Sequence, residues 1–168
     1  MVIQEDSLTF TFSENVDASK YDQWSHYRNQ FKDKCSKDNK AVDFIAFEEK
    51  ESTLWLCEIK DFRMGTRSRD KLPLEKEIAQ KVRDTLAGIV SAKFRANDPD
   101  EKKFAENSLK CKNIRVILHI EQSSEMRQIY DLKDLRDKLR KLLRAVDPHV
   151  DVKTTTQSNQ NNVPWTIS

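Results

Sequence analysis

Hydrophobic and polar positions change period several times along the chain. Leu8 to Phe12 alternates apolar side chains with threonines, the period of two of a half-buried strand. Tyr21, Trp24, Tyr27 and Phe31 then recur every three or four positions, which predicts a helix over 18–34. From 41 to 47 the period returns to two. Val42, Phe44 and Ala46 face one way, and Asp43, Ile45 and Phe47 the other. After a polar turn at 48–52, residues 53–60 read as the returning strand of a hairpin, with Leu54, Leu56, Glu58 and Lys60 on one face.

A second helix begins after Pro73, where Leu74, Ile78, Val82, Leu86 and Ile89 make an apolar stripe and Glu75 and Glu77 suit the positive end of the dipole. Residues 97–113 are polar and include Pro99, so they predict a mobile connection with room for one or two helical turns. Ile114 to Ile120 is apolar at almost every position, as a strand covered on both faces requires. Ile129, Leu132, Leu135, Leu139, Leu142 and Leu143 predict a last helix over 129–145, ended before Pro148. A short edge strand is expected at 150–153. The polar stretch 154–162 is not expected to fold alone, with Trp165 available to anchor the end. No repeat is evident. Alternating strands and helices predict an α/β fold with a mixed central β-sheet flanked by helices, as one domain over 1–153 followed by a polar tail over 154–168.

Composition narrows the chemistry. Apolar residues make up 37% of the 168, yet they gather into short runs, so a packed domain is expected and not wholesale disorder. The two glycines, Gly65 and Gly88, are too few for a Gly-rich phosphate loop or a dinucleotide fingerprint. No apolar run approaches the about eighteen residues that span a bilayer, and 1–8 lacks the features of a secretory leader, so a cytoplasmic protein without membrane contact is expected. Cys35, Cys57 and Cys111 are odd in number and far apart, giving neither a disulfide framework nor a zinc half-site. A net charge of +2 means that attraction to nucleic acid has to come from local clustering.

The chemistry-bearing pattern is Val42, Asp43, Phe44 on one predicted strand and Cys57, Glu58, Ile59, Lys60 on the next. Neighbouring strands lie about 4.8 Å apart, so two facing carboxylates can share one hard cation and leave its other positions to water and a phosphate oxygen. Such an ion, Mg²⁺ or Mn²⁺, would lower the pKa of a bound water that Lys60 orients or helps to deprotonate. A charge at Asp43 between two apolar residues is costly without a partner, which favours a site over a chance surface pair.

At these residues the chain resembles the PD-(D/E)XK nuclease superfamily, in which an acid on one strand precedes an acid-x-Lys on its neighbour and a helix follows. Val42 stands where the family name has proline. The resemblance implies a restriction-endonuclease-like core, Asp43 and Glu58 as metal ligands with the Ile59 carbonyl as a further one, and Lys60 as the catalytic lysine. It further implies a polar residue from the following helix, for which Gln80 is the candidate. Asp22 and Asp33 are the acids available in the preceding helix, and Leu8 to Phe12 is the candidate for the extra strand of that core. The implied activity is metal-dependent hydrolysis of phosphodiester bonds, in DNA with RNA left open. The alternative is a catalytically inactive nucleic-acid-binding or accessory protein on the same fold.

Arg63, Arg67, Arg69 and Lys71 follow the motif directly and are read either as a solvated loop or as a clamp on the phosphate backbone. His119 reads as a hydrogen-bonded residue of the sheet, not a ligand. The leucine stripe of 129–145 reads as core or as the seam of a homodimer.

Overall fold

The computed structural model of the chain describes residues 1–64, 72–123, 129–155 and 162–168. Its centre is a five-stranded sheet in the order β3(Val16–Ser19), β4(Phe44–Glu48), β5(Thr53–Phe62), β6(Asn113–Gln122), β7(Asp151–Lys153). β4 runs antiparallel to both β3 and β5, whereas β5, β6 and β7 are mutually parallel, so the sheet is mixed. A parallel pair needs a crossover. Here it is α1(Leu74–Arg95) followed by α2(Pro99–Ser108), and α3(Leu132–Leu142) makes the corresponding passage from β6 to β7. The fold is α/β, with a mixed sheet and helices packed on one face.

The period of two divides the sheet between two cores. Ile45, Leu54, Leu56, Leu118 and Ile120 pack with Ile78, Val82 and Ile89 of α1 and with Leu135 and Leu139 of α3. The opposite face presents Phe44, Ala46, Trp55, Cys57 and Ile59 to a second, three-stranded sheet in the order β1(Val2–Glu5), β2(Leu8–Phe12), β8(Trp165–Ile167). β5 is therefore covered on both sides, which explains its nearly unbroken apolar run.

Several expectations are corrected. The aromatic stripe of 18–34 is not one helix: a 3₁₀ turn at Tyr21–Gln23 and a π-helical turn at Tyr27–Phe31 are separated by extended backbone at Trp24, where ψ is 135°. The break is held from outside. The Glu101 carboxylate of α2 accepts the amides of Ser25 at 2.6 Å and His26 at 2.9 Å, while the Trp24 indole donates to Ser19 Oγ. The first part of that stretch is strand β3, and it is β3, not Leu8–Phe12, that flanks β4.

The polar connection of 97–113 holds a ten-residue helix, because Asp98 caps the amides of Asp100 and Glu101 and Pro99 fits the first turn. α3 is shorter than predicted, beginning at Leu132 behind an Asp131 cap. Trp165 is buried, and Trp165–Ile167 pairs with β2. Left-handed backbone occurs at Asp6, Asp33, Asp38, Ser52 and Asn162, and Gly88 lies within α1. Among the described residues, no helix is long and apolar enough to cross a membrane.

Candidate functional site

The β4–β5 register pairs Phe44 with Cys57, so Asp43, one step beyond, comes opposite Glu58 on the face that α1 covers. Asp43 Oδ2 accepts the Ile59 amide at 2.6 Å. Glu58 is 1% exposed. Its Oε1 accepts Lys60 Nζ and Lys81 Nζ, each at 2.6 Å, and its Oε2 is buried with no hydrogen-bond partner. Lys81 Nζ also stands 3.7 Å from Asp43 Oδ1, bridging the acids of two strands from the helix above them. Glu77, one turn earlier in α1, extends the cluster through Lys60 at 3.8 Å and Lys40 at 3.9 Å.

Burial, together with the charge of Asp43, pushes the Glu58 carboxyl up to about 7, against the pull of Lys81 and Lys60. Burial alone would lower the Lys81 ammonium, but Glu58 and Asp43 together raise it above its ordinary value. Asp22, on the 3₁₀ turn, is raised by burial and then by Asp43. A cavity of about 520 Å³ adjoins the cluster, lined by Asp22, Arg28, Lys32, Lys40, Asp43 and Lys81 among others.

The structure thus brings Asp43, Glu58 and Lys60 together. Gln80 is not part of the cluster; its amide donates to the Asp38 carbonyl at 3.0 Å, and the adjacent Lys81 is the α1 residue that reaches the acids. Ile59 touches Asp43 through its N–H. Arg63 binds the Asp61 carboxylate and the Ser7 hydroxyl, while Arg67, Arg69 and Lys71 lie outside the described residues. His119 is buried on the other side of the sheet, its Nε2 2.7 Å from Glu121 Oε1.

Sequence reasoning missed Lys81 and Glu77. The signal available was their spacing of four beside the buried stripe, a spacing that equally describes a surface ion pair.

Among the described residues, no group of three or more His, Cys, Asp or Glu side chains is arranged to hold a metal ion. The two carboxylates stand on one side of the sheet and are met there by the ammonium groups of Lys60 and Lys81, while Glu58 Oε2 is buried and lacks a hydrogen-bond partner.

Against curated proteins, the chain is 35% identical, in an alignment 208 positions long with its gaps, to a cysteine-tRNA ligase of Neisseria meningitidis serogroup A. The alignment takes in 99% of this chain and 29% of the ligase, so the chain spans less than a third of its relative's length. No family model matches, and no solved structure matches. These findings correct the expectation of a PD-(D/E)XK nuclease and with it the assignment to DNA hydrolysis. The resemblance rested on three side chains of one hairpin, and an acid pair neutralised by lysines satisfies that short pattern equally well. Likeness to part of a tRNA ligase, extending along nearly the whole chain, takes its place.

Proposed function

We propose that the chain serves tRNA ligation as a region that contacts tRNA, with the acid and lysine cluster of β4, β5 and α1 as its point of contact. The observation that carries this reading is the 35% identity to a tRNA ligase along 99% of the chain. Lys40, Lys60 and Lys81 supply positive charge beside the cavity. Phosphate contacts of this kind position an RNA backbone without reading its bases. Asp43 and Glu58 hold the ammonium groups of Lys60 and Lys81 in place at that point of contact.

Labelled tRNA, and duplex DNA of similar length, titrated with the chain at two salt concentrations, test the reading. Binding of tRNA about tenfold tighter than DNA is expected, weakening as salt rises. Lys60→Gln or Lys40→Gln should weaken tRNA binding severalfold and reduce the salt slope. Equal affinity for tRNA and DNA, with both variants unchanged, would discard the reading.

A further inference from the structure

We propose that the cavity where β5 and β6 begin is a nucleotide site, in which Lys112, Arg115 and the Trp55 indole N–H meet the phosphate while Glu48 and Glu51 accept from the nucleoside. The cavity lies at the other end of β5 from Lys60, so the proposal stands apart from the contact assigned to the acid and lysine cluster.

The cavity measures about 890 Å³, within the size range of small-ligand pockets. Its walls come from the β4–β5 turn, the start of β6, the loop after α3 and the segment leading into β8. Charge is divided across it. Glu48 and Glu51 belong to β4 and its turn, on one side of β5, whereas Lys112 and Arg115 lead into or lie on β6, on the other side.

The two cations are free to take an anion. Lys112 is exposed and makes no ion pair among the described residues. Arg115 has Asp147 at 3.6 Å, too far for a hydrogen bond, and both Asp147 oxygens already accept backbone amides, from Val116 and His149. The guanidinium donors of Arg115 are therefore available to a phosphate, which they suit in geometry as well as in charge.

Trp55 is an independent pointer to a ligand. It lines the cavity, is 7% exposed, and its indole N–H is buried without an acceptor. A donor left in that state is costly, and an acceptor on a bound molecule removes the cost. Trp55 and Arg115 are register partners on adjacent parallel strands, so one phosphate group can meet both. A bare phosphate would leave the two acids opposite it without donors. Ribose hydroxyls and an exocyclic amine supply those donors, which is why the charge division favours a nucleotide over a simple anion.

The test uses the full chain with its tryptophan indoles labelled with ¹⁵N. The chain has three tryptophans, and the Trp55 resonance is identified by its absence in Trp55→Phe. Adenosine monophosphate is expected to move the Trp55 indole proton downfield in a saturable manner while the Trp24 resonance stays in place. Inorganic phosphate and adenosine should each bind about tenfold more weakly than the nucleotide, because each makes only part of the contacts. Lys112→Gln, a change at an exposed position, should weaken the nucleotide severalfold with the three indole resonances otherwise unmoved.

An oligoadenylate separates two sources of the same chemistry: tighter binding than the mononucleotide assigns the site to an RNA strand, and weaker binding assigns it to the free nucleotide. A Trp55 resonance that stays still up to about 10 mM nucleotide would overturn the proposal. So would equal binding of inorganic phosphate and nucleotide, or an affinity unchanged in Lys112→Gln.

Discussion

The hydroxyl of Tyr21 rests against Gly88, so closely that a methyl group on that glycine would run into it and lie 3.1 Å from the ring carbon bearing it. Tyr21 is fully buried and its hydroxyl has no hydrogen-bond partner. Glycine inside α1 is thus the complement of an aromatic ring on the 3₁₀ turn. Gly88→Ala should destabilise the chain by about 1–3 kcal/mol through overpacking, reduced by up to about 1 kcal/mol of helix propensity. Tyr21→Phe removes the partnerless hydroxyl and should be neutral or stabilising. Urea unfolding of the single and double variants checks this. The double variant should recover more than 1 kcal/mol over Gly88→Ala, as expected of directly touching side chains.

Trp165 joins the two sheets. Its ring lies 5.3 Å from Phe44, 5.6 Å from Phe12 and 5.6 Å from Trp55, centroid to centroid, in edge and tilted arrangements. Trp165→Ala should therefore cost about 3–5 kcal/mol, the range for large aromatic truncations in a core. In calorimetry this corresponds to a fall in Tm of roughly 10 °C. A shift within about 2 °C would mean that β8 adds little to the stability of the fold.

The His119 ring reaches Glu121 through Nε2, and its Nδ1 is buried without a partner. Burial holds its pKa below the ordinary 6.5, against the pull of Glu121. Between the folded and unfolded values, the unfolded chain binds more protons. The stability linked to His119 is therefore complete above about pH 6.5 and is lost as pH falls below it. His119→Gln retains a donor for Glu121 and cannot titrate, so the wild type's advantage over it should shrink from pH 7.5 to 5.5. Denaturation midpoints at the two pH values decide; a constant difference would show that His119 does not set this dependence.

Asp147 is a buried acid that stabilises a turn. One oxygen accepts the Val116 amide at 2.8 Å, the other accepts the His149 amide at 2.8 Å, and Arg115 approaches at 3.6 Å. Asp147→Ala leaves two amides without acceptors and should cost about 2–4 kcal/mol. Faster amide exchange at Val116 and His149 would localise the effect.

How much of this was legible depended on whether a signal was local. The β4–β5 hairpin and α1 announced themselves through periods that backbone geometry enforces, and the facing of Asp43 and Glu58 followed from the hairpin alone. Lys81 did not, because its role depends on how α1 is rotated above the sheet. One residue turns a helix by about 100°, which is the difference between Gln80 pointing to the Asp38 carbonyl and Lys81 reaching Glu58. The spacing of Tyr21, Trp24, Tyr27 and Phe31 misled because two short turns, joined through an extended Trp24, bury the same four rings. α2 is legible only in part, as one or two helical turns within 97–113. Its Asp98 cap and Pro99 are a start signal, but weak amphipathicity hid what followed.

The left-handed corners at Asp6, Asp33, Asp38, Ser52 and Asn162 place ordinary side chains where glycine is the usual occupant. Each corner carries roughly 1 kcal/mol of native strain. A Cβ at the same corner also narrows the set of shapes open to the denatured chain, so less freedom is surrendered on folding. Strain in one state and restraint in the other oppose each other at similar size. Glycine at these corners should consequently alter the breadth of the denatured ensemble more than it alters net stability.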